Sequence, residues 1–211
     1  SVPLGGIRDI RPMIKRAELG ATLDPHDFVY IAGTLYAARR LKQFFGELTA
    51  NAVRLGELAE SITVFRALEN NIEASINEQG AVRDTASQEL ARLRREIKIA
   101  QNRVKEKLEN ILHSAEYQKF FQDALVTIRG DRYVIPVKQE YRHSFPGIVH
   151  DQSASGATVF IEPMAVVNLN NDLKQMMSAE LAEIERILQR LSSQVAAVAE
   201  GLMTTCLALG H

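Results

Sequence analysis

The chain has 211 residues, of which 46% are hydrophobic and 24% charged, and its formal net charge at pH 7 is −1. This composition is typical of a chain that buries a core, and the single cysteine excludes a disulfide scaffold. Because the net charge is so small, nucleic acid could be bound only through a local excess of basic residues. The chain has neither an apolar run of the ~18 residues that a transmembrane helix needs nor a signal-like start, so we expect a cytoplasmic protein without a membrane partner.

Residues 1–83 predict a compact helical core subdomain. Asp24 and Pro25 are typical of a helix start, with a capping carboxylate followed by proline at the first helical position. The apolar spacing continues to Gly46, where we expect the helix to end, since glycine is the preferred residue after a helix. Residues 53–76 predict a further helix.

Two long helices are predicted from apolar residues that recur every three or four positions, one over residues 84–122 and one over residues 163–211. The first row consists of Leu90, Leu93, Ile97, Ala100, Val104, Leu108 and Ile111, and the second of Val166, Leu169, Leu173, Met176, Leu181, Ile184, Leu188, Leu191, Val195, Val198 and Leu202. Pro163 is expected at the first position of the second helix. An antiparallel coiled coil of the two is the simplest way to bury both rows.

A β-rich insert is predicted between these helices, over residues 123–162. Gly130 and Asp131 separate two β-rich runs and predict a hairpin with a type II′ turn. A second hairpin is expected around Ser155 and Gly156, and the loop over residues 140–146 is the most irregular stretch of the chain. The predicted fold is therefore mainly α, with a helical base and a long coiled-coil arm that carries a small antiparallel β insert.

Four strings of residues resemble the endonuclease MutS-two family, a bacterial paralogue of MutS without a mismatch-reading domain. They are Leu4–Ile10, Gly80–Ser87, Gly130–Lys138 and Gly147–Pro163, so the resemblance covers nearly the whole chain. It implies that the arm is the lever and the β insert the clamp of a MutS-like protein. It also implies a homodimer that embraces nucleic acid, either branched DNA in suppression of recombination or the rRNA of collided ribosomes in translational quality control.

The same resemblance implies an ABC-type ATPase domain that binds ATP and Mg, followed by an Smr nuclease domain, both beyond residue 211. The chain itself contains no Gly-x-x-x-x-Gly-Lys-Ser/Thr phosphate loop. We therefore expect no cofactor and no catalysis in this segment, while the whole protein is expected to be a hydrolase with ATPase and endonuclease activity.

Basic residues are concentrated at the β insert and along the first long helix. The candidate nucleic-acid ligands of the insert are Arg129, Arg132, Lys138, Arg142 and His143. Residues 92–107 have a net charge of +5, and Arg94, Arg95 and Lys98 are candidate contacts to a nucleic-acid backbone. Because the return helix has a net charge of −2, these cations could instead form ion pairs between the two helices.

The aromatic residues of the insert leave two interpretations open. Tyr141 or Phe145 could stack on an exposed base, or Phe145 and Tyr133 could be part of the hairpin core. A different class of function is a protein-interaction and dimerisation module without nucleic-acid contact, in which residues 133–137 and 157–161 present an apolar sheet face to a partner.

No metal or catalytic site is predicted. The polar residues near the insert, His143, His150, Asp151, Glu162 and Asp172, fit no metal-ligand spacing. They are expected to lie at the surface and to form hydrogen bonds within the hairpins. His150 and Asp151 are adjacent in a predicted strand, so their side chains are expected on opposite sides. Cys206 has apolar neighbours and is expected to be a buried thiol.

Overall fold

Helices make up most of the chain, and one small antiparallel sheet lies in its middle. The computed structural model describes residues 8–48, 56 and 59–210. Among its helices are α1 (Arg11–Glu18), α2 (Pro25–Leu48), α3 (Arg66–Ser75), α4 (Gln88–Leu112), α5 (Val167–Ala197) and α6 (Ala199–Ala208). Its strands are β1 (Thr127–Arg129), β2 (Arg132–Lys138), β3 (Gly147–Gln152) and β4 (Thr158–Pro163). The prediction of a mainly α fold with a small β insert is confirmed. None of the described helices is both long and apolar enough to cross a membrane.

The chain divides into two compact units, a terminal unit (Ser1–Ala91 with Ala182–His211) and a central unit (Arg92–Leu181). The core of the terminal unit is built from residues of several helices, among them Ile14, Phe28, Ile72, Leu90 and Leu191, all buried. Cys206 belongs to this core, as the sequence predicts.

Helix α2 begins as predicted and continues further than predicted. The Asp24 carboxylate accepts the N–H of Asp27 at 3.0 Å, and the Asp27 carboxylate accepts the N–H of Asp24 at 3.1 Å, so the two residues cap the helix reciprocally. Pro25 is the first helical residue. The prediction that Gly46 ends the helix is wrong, since the helix reaches Leu48. A glycine inside a helix costs about 1 kcal/mol, and the burial of neighbouring Phe45 stabilises this turn.

The predicted helix over residues 53–76 lies partly outside the described residues. Where it is described, it is interrupted at residues 62–65 and resumes as α3. The interruption has a physical cause, because the N–H of Thr63 donates to the hydroxyl of Thr205 at 3.1 Å rather than to a helical carbonyl.

Helices α4 and α5 pack against each other in opposite directions. In the central unit the guanidinium of Arg94 contacts the carboxylate of Glu180 at 2.9 Å. In the terminal unit the hydroxyl of Ser87 donates to Glu183 at 2.7 Å. Leu93 and Leu188 are buried, as the two apolar rows predict, but Leu181 is 69% exposed and does not belong to its row.

The second long helix is shorter than the prediction over residues 163–211. Pro163 is the last residue of β4, with an extended ψ of 141°, so its predicted place at the start of a helix is wrong. Its backbone is extended because it pairs with Gly147 of β3. A short 3-10 turn, Met164–Val166, precedes α5, and Val198 separates α5 from α6.

The sheet of the central unit has the strand order β1-β2-β4-β3, with every neighbouring pair antiparallel. Gly130 and Asp131 both have positive φ, 54° and 63°, so the first turn is type I′ and the predicted type II′ is wrong. Asp tolerates this left-handed conformation better than most residues.

The apolar side chains of β2 and β4 face helices α4 and α5. Ile135, Val137, Val159 and Ile161 are fully buried in one cluster with residues of α4 and α5, including Val104. The expectation that residues 133–137 and 157–161 present a surplus apolar face is therefore wrong, because this face is used in the core of the central unit.

Candidate nucleic-acid interface

An aromatic cluster holds the loop over residues 139–146 in place. Phe145 is 5% exposed, and its ring centroid lies 5.6 Å from that of Tyr117 and 5.7 Å from that of Phe121, both edge to face. Tyr141 packs on Phe120 with centroids 4.9 Å apart. Phe145 is therefore a core residue, and the prediction that it could stack on a base is wrong.

Three of the predicted basic residues belong to this anchored loop or directly precede it. Lys138 ends β2, and Arg142 and His143 follow the 3-10 turn Gln139–Tyr141. Arg142 and His143 are exposed and Lys138 is half-buried. Within the described part of the chain, no carboxylate forms an ion pair with any of the three. Their charged or polar heads are thus available to a ligand.

Lys119 joins this group, although the sequence does not indicate it. Its ammonium lies 5.2 Å from the centroid of Phe120, so the aromatic cluster that anchors the loop also places this cation beside it. The sequence predicts a single helix over residues 84–122, which would place Lys119 on that helix. In the structure α4 ends at Leu112, and Lys119 lies in a separate 3-10 turn. The aromatic residues Tyr117, Phe120 and Phe121 are the sequence signal that indicates a second anchored segment.

Arg129 lies across the outer face of the sheet. Its guanidinium carbon is 4.1 Å from the centroid of Phe160, and its Nε is 3.2 Å from a carboxylate oxygen of Asp151. Its Nη1 donates to the hydroxyl of Thr127 and to the carbonyl of Ile128. The charge of Arg129 is therefore shared with a carboxylate, but the side chain remains 37% exposed.

Arg132 is used inside the protein. Its side chain is 11% exposed, and its Nε donates to Glu162 at 2.7 Å. Its Nη1 donates to Asn171 at 2.8 Å, and its Nη2 contacts the carbonyl of Val167 at 3.3 Å. Because these groups are already bonded and largely shielded from solvent, Arg132 is not part of the surface that could meet nucleic acid.

Glu162 is the centre of a buried polar network. It is fully buried, and it accepts hydrogen bonds from Arg132, from Asn170 at 2.7 Å and from the ring of His150 at 2.9 Å. Burial alone would raise the pKa of the Glu162 carboxyl, but these three hydrogen bonds outweigh burial and lower the pKa. The prediction that Glu162 is a surface residue is therefore wrong.

A β-bulge explains how His150 reaches Glu162. The register of β3 against β4 shifts between Val149 and Asp151, which places His150 in the bulge. Asp151 then pairs with Arg129 while His150 bonds Glu162. No group of three or more His, Cys, Asp and Glu side chains suited to a metal ion occurs among the described residues.

On helix α4, the three predicted basic residues differ in their surroundings. Arg94 forms the ion pair with Glu180 and thus belongs to the packing of α4 on α5. Arg95 and Lys98 are exposed, and neither forms an ion pair within the described ranges. The interpretation as an ion pair between the two helices therefore holds for Arg94, whereas backbone contacts of Arg95 and Lys98 with nucleic acid stay a prediction.

Cys206 has the properties of an unreactive thiol. It is 2% exposed, and burial, with a smaller effect of Asp9, raises its pKa to about 11. A thiol with so high a pKa is protonated at neutral pH and is a poor nucleophile.

Comparison with known proteins identifies the family of the chain, although no protein-family model matches it. A protein named Endonuclease MutS2 from Geobacillus sp. (strain WCH70) is 51% identical over 205 residues, which is 96% of this chain and 26% of the relative. Proteins of the same name from Geobacillus thermodenitrificans (49% identical) and Symbiobacterium thermophilum (47% identical) each match 100% of this chain and about a quarter of their own length, 27% and 26%. The chain belongs to the MutS2 family. It spans about a quarter of the length of these MutS2 relatives.

Two of the strings that resemble MutS2 proteins have clear structural roles. Gly130–Lys138 forms the type I′ turn and β2, and Gly147–Pro163 forms the whole second hairpin. In the MutS2 chain, Gly147 allows a close approach of backbones, because a Cβ at this position would meet Ile161 and the carbonyl oxygen of Glu162.

Proposed function

We propose that this chain is the lever-and-clamp segment of a MutS2-family protein and that its central unit contacts the phosphate backbone of nucleic acid. The observation that carries the proposal is the anchored loop with its cations, Lys119, Lys138 and Arg142, together with His143. An aromatic cluster fixes the loop, and the charged heads have no ion-pair partner in the described chain. A surface of this kind is suited to phosphate contacts.

The distribution of charge between the two units supports this location. The central unit contains thirteen Lys and Arg residues against eleven Asp and Glu, whereas the terminal unit contains twelve against fifteen. Since the whole chain has a net charge of −1, the basic excess is confined to the central unit. Arg95 and Lys98, exposed on α4, belong to this unit and are proposed as additional backbone contacts.

The proposed contact is made to phosphates rather than to bases. Phe145 is buried, Tyr133 is 7% exposed, and the ring of Tyr141 is packed on Phe120. Sequence-tolerant binding of single strands generally uses aromatic rings on which bases stack, and these three rings are engaged within the protein. We therefore propose that binding rests on phosphate contacts rather than on base stacking, and because phosphates carry no sequence information, no sequence preference is expected. Arg129 contributes at the outer face of the sheet.

Both substrates implied by the family offer phosphates to such a surface. We propose that the whole protein acts as a homodimer on branched DNA, suppressing recombination, or on the rRNA of collided ribosomes. The ATPase and endonuclease activities, with their ATP and Mg, are proposed for the three quarters of the relatives' length that this chain does not cover.

The dependence of affinity on salt tests the proposal. Lys119, Lys138 and Arg142 are changed together to Ala, and binding to duplex and four-way-junction DNA and to ribosomal RNA is measured over a salt series. If each cation neutralises one phosphate, the slope of log affinity against log salt falls by about 3, since each contact contributes roughly 0.9. Sequence preference is expected to stay unchanged.

A matched variant controls for the general loss of charge. Lys15, Arg40 and Arg83 are exposed cations of the terminal unit, and changing all three to Ala removes the same charge. This control is expected to keep the parent's slope. If the control lowers the slope and the loop variant does not, the loop is not the nucleic-acid interface.

A further inference from the structure

The side chain of Arg129 reaches partners on two other strands of the sheet. Arg129 ends β1, whereas the ring on which its guanidinium lies belongs to Phe160 of β4, and the carboxylate that it contacts belongs to Asp151 of β3. Because the strand order is β1-β2-β4-β3, the side chain crosses β2 to reach both. The Arg129 and Asp151 side chains are 37% and 50% exposed, so this ion pair lies where a phosphate can approach it.

The β-bulge of β3 decides which residue lies beside the guanidinium. If the register of β3 against β4 were regular up to this point, His150 would lie opposite Phe160. The bulge shifts the register by one residue and places Asp151 opposite Phe160 instead. One oxygen of the Asp151 carboxylate accepts the N–H of Gln152 at 2.8 Å, which orients it. The fold thus fixes a carboxylate at the place where Arg129 is proposed to meet phosphate.

Arg129 keeps hydrogen-bonding capacity for a phosphate. Its Nη1 donates to Thr127 and Ile128, whereas its Nη2 has no hydrogen-bond partner among the residues that the structure describes. The distance of 3.2 Å from its Nε to the Asp151 carboxylate exceeds the length of a strong charge-assisted hydrogen bond, about 2.7–2.9 Å. Ion pairs between partly exposed side chains are weak, because water screens them and solvates both groups when they open. A phosphate oxygen can therefore replace the Asp151 carboxylate on Arg129.

We propose that Asp151 competes with nucleic acid for Arg129 and so limits the share of Arg129 in phosphate binding, an inference that rests on the proposed phosphate contact of the central unit. The carboxylate is always present, whereas phosphate must be supplied by the ligand. A nucleic acid that the loop cations already hold presents its further phosphates at a high local concentration, which a single nucleotide does not. Asp151 thus makes the contact of Arg129 dependent on a polymer that is bound at the loop.

The salt dependence of DNA binding measures this competition, because each phosphate contact contributes roughly 0.9 to the slope of log affinity against log salt. The parent, Asp151→Asn, Arg129→Gln and the variant with both changes are compared on one DNA duplex. We expect the slope of Asp151→Asn to exceed that of Arg129→Gln by about 0.9, with the parent between the two. The variant with both changes is expected to have the slope of Arg129→Gln, since no arginine is left to be released.

The matched control is Asp172→Asn, which removes an exposed carboxylate of the central unit that forms no ion pair within the described ranges. It is expected to keep the parent's slope. Asn at position 151 retains an oxygen that can accept the N–H of Gln152, and Asp151→Ser is a second neutral variant that is expected to behave in the same way. Circular dichroism checks that every variant is folded.

A slope of Asp151→Asn equal to the parent's overturns the proposal, as does an equal rise in the variant that also lacks Arg129. The loop variant, with Lys119, Lys138 and Arg142 changed to Ala, separates this inference from the proposed function. If the loop variant lowers the slope by about 3 and Asp151→Asn leaves it unchanged, the competition is absent and the phosphate contact of the loop stands. If the loop variant leaves the slope unchanged, the proposed interface fails, whereas a rise with Asp151→Asn alone still supports the competition at Arg129.

Discussion

Replacing Glu162 by Gln tests whether the buried network stabilises the sheet of the central unit. The substitution keeps the size of the side chain and removes its charge. Gln has one carbonyl oxygen, whereas the carboxylate accepts hydrogen bonds from Arg132, Asn170 and His150 on two oxygens. At least one of these donors loses its acceptor, and the guanidinium of Arg132 loses its counter-charge.

The expected loss of stability follows from the burial of the partners. Arg132 is 11% exposed, so water cannot replace the carboxylate, and removing one member of a buried ion pair costs about 3–5 kcal/mol. Because Gln retains one acceptor, we expect a value near the lower end, about 3 kcal/mol. Glu140→Gln, at an exposed residue of the same unit, is expected to change stability by less than about 0.5 kcal/mol.

Hydrogen exchange measured by mass spectrometry is the suitable assay, because the chain has no Trp and fluorescence would report poorly on the sheet. Amides of β2 and β4 exchange through opening of the central unit, and a loss of 3 kcal/mol accelerates their exchange roughly 100-fold, at about 1.4 kcal/mol for each factor of ten. If exchange in these strands accelerates less than about twofold, the network does not stabilise the sheet and the reasoning is refuted.

Four further predictions concern other parts of the molecule. Leu93→Asp places a carboxylate at a position that is 4% exposed, so we expect a loss of several kcal/mol. A melting temperature equal to the parent's would show that Leu93 is not buried in the packing of α4 on α5. Hydrogen bonding to Arg186 lowers the pKa of Glu183 from 4.5 to about 2. The stabilisation by Glu183 is therefore present above pH 4.5 and is lost as the pH falls to about 2, and Glu183→Gln should flatten this part of a plot of melting temperature against pH. Gly147→Ala is expected to lower the melting temperature, because the new Cβ meets Ile161 and backbone of β4, and an unchanged melting curve would contradict that close approach. The purified chain should neither hydrolyse ATP nor cut DNA with added divalent metal, and an activity that follows the protein through several columns would contradict this.

Features that depend on local spacing could be predicted from the sequence. Rows of apolar residues indicate the packing of α4 on α5, and Asp24 with Pro25 indicates the start of α2. Local rules were insufficient where pairing with a distant residue decides the conformation. Pro163 has the fixed φ of a helix start, but its pairing with Gly147 keeps it in a strand.

In the candidate site, too, local features could be predicted from the sequence and contacts between distant residues could not. Lys138, Arg142 and His143 stay predicted ligands, and their charge and their irregular loop are visible in the sequence. Arg132 looks equally available there, and its buried ion pair depends on Glu162, which is thirty residues away in the chain. Likewise, Lys119 could not be assigned to the loop until the contacts of Phe120 with Tyr141 were known.

Asn170 couples the sheet mechanically to the first turns of α5. Tyr133 lies near the end of β4, where Pro163 has no N–H to donate. The side-chain amide of Asn170 forms the hydrogen bonds that a neighbouring strand would otherwise provide. It accepts the N–H of Tyr133 at 3.3 Å and donates to its carbonyl at 3.1 Å. Turning the start of α5 about its axis would therefore break the two hydrogen bonds between the side chain of Asn170 and the backbone of Tyr133. We therefore expect the sheet to rotate together with the first turns of α5 when this end of the helix rotates.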